Sequence, residues 1–350
     1  PHMTEIQLNM YHALALGAAM YALGLVLMKK IPVLSRFCIP APLVGGLCFA
    51  IFNTILYATG TAVITFDDTL QMVFMIFFFT TVGFTVSIPM LLKSGKSVIM
   101  LLILSVVMII LQNVVGSGVM ALMGKDPLYG LACGSIAMIG GPGTAAAYGP
   151  ELEAAGAVGG SVVSIAAATF GLISGAIIGG PFGRFIVRKH HLEDPALDGK
   201  GEMEEESGKS TMGNLMHKGD VVQAMYLMCF ALGLGGAFFT VLKALHISFP
   251  IHVCCMFAGI LIRLFFDAKK GADHTTLYEG IDTVGDFSLG LFVSMSIISM
   301  KLWTLAGMGL QLFILCMAQA VFIIFYAYFV DFFSMGKNYD AAVIAVGHTG

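Results

Sequence analysis

The residues best suited to hold an ion lie in one run, Gly134-Ser135-Ile136-Ala137-Met138-Ile139-Gly140-Gly141-Pro142-Gly143-Thr144-Ala145-Ala146. Glycine reaches positive φ and lets a ligand approach the backbone. An apolar helix broken at such a turn offers free N–H groups at the start of one half, which attract a carboxylate. It also offers free carbonyls at the end of the other half, which suit Na⁺. Gly140, Gly141, Pro142, Gly143 and Thr144 are therefore candidates for binding an anion, and Ser135 and Thr144 add hydroxyl oxygens for a cation. The competing reading is a kinked helix packed closely on its neighbours.

A second run ends the chain: Lys337-Asn338-Tyr339-Asp340, then Gly347-His348-Thr349-Gly350. Asn338 and Asp340 suit helix caps, and a cap does not exclude a place on an ion path. Gly347, His348, Thr349 and Gly350 form the second candidate anion site, with His348 either a donor or a packing residue. The candidate Na⁺ ligands are Ser135, Asn113, Thr144, Asn338, Asp340 and Thr349.

Gln112-Asn113 and Gln319 sit deep in apolar stretches, where polar side chains face a bundle interior as hydrogen-bond partners or as ligands. Thr80, Thr81, Ser294 and Ser296 could line a pathway, though bonding back to their own helix explains such hydroxyls too. Gly171, Gly175, Gly179 and Gly183 recur every fourth residue, a bare stripe for close helix packing. No Lys or Arg falls at the middle of an apolar stretch. Arg263 is the nearest exception, and snorkelling accounts for it.

The elements that must position these residues follow from composition. Hydrophobic residues make up 58% and charged residues 11%, and mean hydropathy is +0.90. Soluble domains carry about 25% charge, so the chain is an all-α polytopic membrane protein. Its net charge of −3 gives no argument for a nucleic-acid partner. The seven cysteines lack metal-ligand spacing and read as small core residues. With about 20 apolar residues per crossing, spans are expected at 11–28, 40–58, 70–92, 98–123, 157–186, 220–242, 250–266, 284–303 and 307–333. Residues 128–149 are apolar but broken by Gly140-Gly141-Pro142-Gly143 and read as a re-entrant hairpin.

A weak internal repeat organises these spans. Arg36–Leu43 returns as Ile247–Val253, and Met123-Gly124-Lys125-Asp126 returns as Met335-Gly336-Lys337-Asn338, at offsets of 210 and 212. With the N-terminus outside, 15 of the 18 Lys and Arg lie on inner loops, a strong positive-inside bias. Five spans per half is an odd number, so the second copy must be inverted, as in secondary transporters. Residues 4–188 form the first repeat, with its hairpin at 128–149. Residues 189–219 form an acidic cytoplasmic linker, and residues 220–350 an incomplete second repeat whose hairpin begins near 337. Pro1-His2-Met3 reads as a cloning remnant, and the shortness of the second copy leads to the expectation that the natural protein continues past Gly350.

The stretches Phe78–Phe84, Gln112-Asn113, Asp126–Ile136, Ala168–Gly171, Gly179-Gly180-Pro181, Leu302-Trp303 and Met335–Val343 with Gly347-His348 resemble the bacterial sodium/glutamate symporter family. The resemblance runs from the first span to the last residue. It implies two inverted five-span halves, each with a re-entrant loop, and Na⁺-driven symport of L-glutamate or a similar anion across the inner membrane. Na⁺ would act as coupling ion, with no other cofactor. Related folds imply a homodimer in which a transport unit slides past a scaffold as an elevator. Family members read Ser-Gly-Gly-His-Gly-Thr-Gly at the first turn, whereas this chain has Ile139 and Pro142 at the serine and histidine positions and Ala145 at the last. That difference bears on the substrate, so another carboxylate or amino acid is the alternative. An intramembrane aspartyl protease using Gly285-Asp286 and Tyr339-Asp340 is the remote enzyme alternative, and a passive channel fits the repeat poorly.

Overall fold

The computed structural model describes residues 4–36, 39–88, 95–192, 218–247, 249–268, 274–305 and 308–347. In chain order the elements are β1 (Thr4–Leu8), α1 (Met10–Lys30), α2 (Pro32–Arg36), α3 (Ala41–Ala58), β2 (Ala62–Phe66), α4 (Thr69–Thr85) and α5 (Gly95–Leu122). Then come α6 (Leu128–Ala132), α7 (Ser135–Met138), α8 (Gly141–Ala154), α9 (Gly160–Lys189), α10 (Lys218–Ala244), α11 (Ile251–Ala268) and α12 (Thr275–Ile298). A 3₁₀ turn at Leu302–Leu305 leads to α13 (Gly309–Tyr326), which continues as a π-helical turn (Ala327–Phe332), and α14 (Tyr339–Gly347) closes the series. Among the described residues, eight helices are long and apolar enough to cross a membrane.

These helices fall into two compact units. One holds Pro1–Phe66, Lys96–Met203 and Val293–Gly350, and the other holds Asp67–Gly95 and Glu204–Phe292.

In the first unit, α1 starts where Asn9 Oδ1 accepts from the Tyr11 and His12 N–H groups, both at 3.1 Å, satisfying two of the donors that a helix start leaves free. It ends before Pro32. α3 begins after Pro40 with Pro42 in its first turn. The two helices touch through bare backbone. A Cβ on Gly24 would overlap the Ala41 carbonyl, and one on Gly45 would overlap the Met20 carbonyl. Such close approach brings backbones into van der Waals contact in a medium where burial from water gives no drive. β1 and β2 pair in parallel, from Thr4 beside Ala62 to Leu8 beside Phe66. Asn53 of α3 clamps β2 through two 2.9 Å bonds to the Ile64 backbone. This small sheet was not expected from the sequence, because both runs are five residues long and lie beside far stronger helical signals.

In the second unit, α4, α10 and α11 pack with the first part of α12. Gly83 of α4 lies against the Met256 carbonyl, Gly259 of α11 lies under the Thr80 carbonyl, and Gly235 of α10 lies against Cys255. The Gly235–Cys255 approach repeats the local arrangement of Gly24 and Gly45 at an offset of 210 to 211 residues. Arg263 is not a snorkelling cation. It donates to the Phe84 carbonyl, lies 3.5 Å from Asp267 Oδ2 and stacks 4.2 Å over the Tyr278 ring. Asp267 accepts in addition from Ser87 Oγ at 2.9 Å and Tyr278 Oη at 3.1 Å. One cation and one carboxylate thus tie α11 to the end of α4 and to α12.

Two helices differ from the expected spans. α4 covers 17 residues and stops at Thr85, ahead of Pro89 in the sequence. α12 begins at Thr275 instead of 284 and ends at Ile298 instead of 303. Its first turns carry Glu279, Asp282 and Asp286, with Asp282 and Asp286 on an exposed face while Ile281, Val284, Gly285 and Ser288 are buried. Hydropathy averaging misses an amphipathic start of this kind. Trp303 lies in the 3₁₀ turn and stacks on Tyr57 at 4.2 Å between ring centroids. The linker expected at 189–219 falls mostly on residues 193–217, outside the described residues.

Candidate functional site

The stretch 128–154 that holds the glycine-rich run folds as three helical pieces, α6, α7 and α8, and side chains hold both breaks. At the first break, Asn113 Oδ1 on α5 accepts from the Ser135 N–H at 3.1 Å and from Ser135 Oγ at 2.9 Å. Asn113 therefore caps α7 from another helix. A Cβ on Gly134 would come 2.6 Å from that oxygen, so glycine is needed there.

At the second break, the Ile139 and Gly140 N–H groups both bond to the Ser135 carbonyl, at 3.2 and 3.1 Å. Gly141 then takes φ +67°, a left-handed conformation that costs an L-residue roughly 1–2 kcal/mol. Pro142 follows in the first turn of α8, where its missing N–H removes no helical bond. Thr144 Oγ1 reaches back 2.7 Å to the Ile136 carbonyl, tying the α8 start to the α7 start across the turn.

The sequence candidates Asn113, Ser135 and Thr144 are thus brought together around Ile136. Gly140 is exposed and residues 141–144 are half-buried, so the turn can be reached. The first turn of α8 contains no acidic side chain. Its free N–H groups and the positive end of the helix dipole therefore meet no internal anion from that turn. Behind the turn, α9 packs on it through Gly171, whose Cβ would meet Met138 Sδ at 3.1 Å. The same stripe takes α14 at Gly183, where a Cβ would lie 2.9 Å from Val346 Cγ2. Gly171 and Gly183 of the fourth-residue stripe thus each seat one of the short segments.

The second run starts as the first does. Gly124 and Gly336 both take positive φ, at +67° and +108°. Asp126 Oδ1 then accepts from the Leu128 N–H at 2.9 Å, and Asn338 Oδ1 accepts from the Ala341 N–H at 2.9 Å. Asn338 is therefore a helix cap. Gly347 is the last residue of α14. His348, Thr349 and Gly350 lie outside the described residues, as does the Asp340 side chain.

The polar residues of the other spans sort clearly. Thr80 and Thr81 bond back to the Ile76 and Phe78 carbonyls, both at 2.7 Å. Ser294 Oγ donates 2.8 Å to the Gly17 carbonyl, joining α12 to α1. Gln319 Nε2 donates 2.9 Å to the Gln112 carbonyl, joining α13 to α5. One buried acid was missed in the sequence. Asp331 lies in the π turn with 0% exposure. Its signal was available as a carboxylate within the apolar run Tyr328–Phe333. Among the described residues, no group of three His, Cys, Asp or Glu is placed to hold a metal ion.

The family model for the sodium/glutamate symporter matches residues 6–350. The chain belongs to the sodium/glutamate symporter family. It is 32% identical over 342 residues to the sodium/glutamate symporter of Haemophilus influenzae, covering 97% of this chain and 84% of that one. It is 33% identical over 333 residues to the Escherichia coli sodium/glutamate symporter, covering 94% and 81%. No solved structure matches the chain. Its relatives are named as symporters, so this is a multi-pass membrane transporter and not an enzyme. Asp286, half of the protease alternative, lies exposed within α12.

Proposed function

We propose that this protein is a secondary transporter that moves L-glutamate, or a closely similar anion, together with Na⁺. Family membership sets that reading, and the break between α7 and α8, tied across by Thr144 and the Ile136 carbonyl, is the observation that carries it. It supplies N–H groups at the α8 start for a carboxylate, beside Asn113, Ser135 and Thr144, whose oxygens suit a hard cation. Substrate would bind at Gly140, Gly141, Pro142, Gly143 and Thr144 from the first segment, and at Gly347, His348, Thr349 and Gly350 from the second. Na⁺ would use Asn113, Ser135 and Thr144, with Asn338, Asp340 and Thr349 contributing from the second segment. Na⁺ is the coupling ion, with no resident cofactor.

In this reading the two segments are re-entrant hairpins of two inverted repeats. The recurrence of the positive-φ glycine with its Asp or Asn cap supports the repeat, as does the matched close approach at Gly24–Gly45 and Gly235–Cys255. The protein sits in the inner membrane with its N-terminus periplasmic and the acidic linker cytoplasmic, and it works as a homodimeric elevator. Coupling follows if the loaded unit crosses only with both substrate and Na⁺ in place.

The test is uptake of labelled L-glutamate into liposomes holding the full-length protein, under an inward Na⁺ gradient against K⁺. Accumulation only with Na⁺ supports the proposal. Accumulation without Na⁺ dependence overturns it. Na⁺-driven uptake of a different carboxylate, with none of glutamate, would assign the Ile139 and Pro142 replacements to altered specificity.

A further inference from the structure

Beside the capped break lies a polar pair that the substrate turn does not use. Gln112 of α5 and Gln319 of α13 both have 0% exposure. Gln319 lies over the bare backbone of Gly116, where a Cβ would come 2.6 Å from its Nε2. Its Nε2 donates to the Gln112 carbonyl. Amide nitrogen and oxygen are told apart by such networks, so this bond fixes Gln319 Oε1 as an acceptor. Among the described residues, Gln319 Oε1 has no hydrogen-bond partner, and neither do Gln112 Oε1 and Nε2.

Buried amide groups without partners are rare, because the water they gave up is not replaced. Leucine or methionine would fill the same space with nothing left unbonded. Two amide oxygens are left without a donor, and the Gln112 amide can rotate to present its oxygen. Two unmet acceptors suit a group that is itself a donor or a cation. Amide oxygens are hard ligands suited to hard cations. The next residue on α5, Asn113, holds the start of α7.

We infer that Gln112 and Gln319 contribute amide oxygens to a Na⁺ site joining α5 to α13, which Asn113 links to the α7–α8 turn. This deepens the symport reading and rests on it. Occupied, the site would hold the helix that carries the Asn113 cap against α13. Na⁺ binding would thereby support formation of the substrate turn, and by reciprocal linkage bound substrate would favour the Na⁺ site.

The experiment compares the full-length wild type with Gln112→Leu and Gln319→Leu, using NaCl as the probe. Each is read by the Na⁺ dependence of glutamate uptake in liposomes and by the Na⁺-induced shift in thermal stability without substrate. The half-saturating Na⁺ concentration should rise about tenfold or more, the scale of losing a bond to a charged group. Glutamate KM at saturating Na⁺ should stay within about twofold, and the Na⁺-induced thermal shift should shrink. A variant that melts higher than wild type without Na⁺ but gains nothing from Na⁺ also supports the inference, since apolar replacement then relieves orphaned amides.

Unchanged Na⁺ dependence and an unchanged Na⁺ shift in both variants would overturn it and make the pair structural. If the leucine variants do not fold, Gln319→Glu keeps the shape. It should change Na⁺ affinity or Na⁺ over Li⁺ selectivity, and unaltered values for both would overturn the inference equally. Na⁺-independent uptake by the wild type would instead overturn the symport reading itself.

Discussion

Replacing Gly140 by alanine tests the turn most directly. Gly140 has φ −79°, so an alanine there is not strained by its backbone. Reducing the freedom of the unfolded chain would even favour it by about 0.4–1 kcal/mol. The obstacle is space. A Cβ would overlap the Thr144 hydroxyl and lie 2.6 Å from Thr144 Cβ and 2.8 Å from the Ile136 carbonyl oxygen. Ordinary contact begins near 3.4 Å, so Thr144 must turn away and give up its bond to Ile136. Overpacking costs about 1–3 kcal/mol and the lost bond about 1 kcal/mol. After the chain-entropy gain, roughly 1–3 kcal/mol remains, set against closing of the turn.

If that turn binds substrate, the loss appears in Na⁺-driven glutamate uptake as a fall of about 10–100-fold in kcat/KM. Thr144→Ala should lose less, because it removes the bond without the overlap. The double variant G140A/T144A should be less damaged than the sum of the two, since the worst overlap is gone. A favourable coupling of about 1 kcal/mol is expected from a double-mutant cycle. Wild-type uptake and stability in G140A, or strict additivity in the double variant, would refute the reasoning.

Asn113→Ala should leave the Ser135 N–H and hydroxyl without their shared acceptor. The expected loss is about 1–2 kcal/mol of stability with a raised Na⁺ requirement for uptake, and unchanged Na⁺ titration of uptake would count against Asn113 as part of the ion path. Gly45→Ala should push α3 away from α1 at the Met20 carbonyl and lower the melting temperature in detergent. A melting temperature at or above wild type would show that the helices separate without cost. Arg263→Ala should destabilise by about 1–3 kcal/mol by removing a charged donor from the half-buried Asp267 and from the Phe84 carbonyl. R263A/D267A should recover part of that loss, and a double variant no better than R263A would refute the network. Ser294→Ala should cost only about 1 kcal/mol, through the bond to Gly17, as measured by thermal melting.

Much of this protein could be read along the chain. In a bilayer every backbone group must bond within its own segment, so long apolar runs become helices whatever they pack against. Spans such as α1, α3, α10 and α11 accordingly lie close to where hydropathy puts them. The glycine-rich break was equally legible, because a local run that cannot continue a helix announces itself in sequence. The Asn338 cap was visible in the sequence, since caps depend on nearest neighbours, whereas Asp126, at the matching place in the repeated Met-Gly-Lys motif, emerged as a cap only in the structure. The sheet pairing of β1 with β2 was not, for it joins residues nearly sixty positions apart by a pattern too short to stand out.

What sequence determines here is therefore what local chemistry enforces: the spans, the breaks, the caps and the family. Which polar side chains meet was decided only in the tertiary structure. Asn113 could have bonded to any helix; packing at Gly134 brings it to Ser135. Gln112 and Gln319 are separated by more than two hundred residues, and only the bare surface at Gly116 lets α13 come close enough to join them. Asp331 shows the point most simply. The buried stripe of α13 runs through Leu312, Leu315, Cys316, Gln319, Ala320, Ile323 and Tyr326, and the π turn continues it with Ala327, Tyr328, Asp331 and Phe332 buried. Helical periodicity puts Asp331 on the same face as Ala320, but only the packing of α9 and α14 against this turn closes that face.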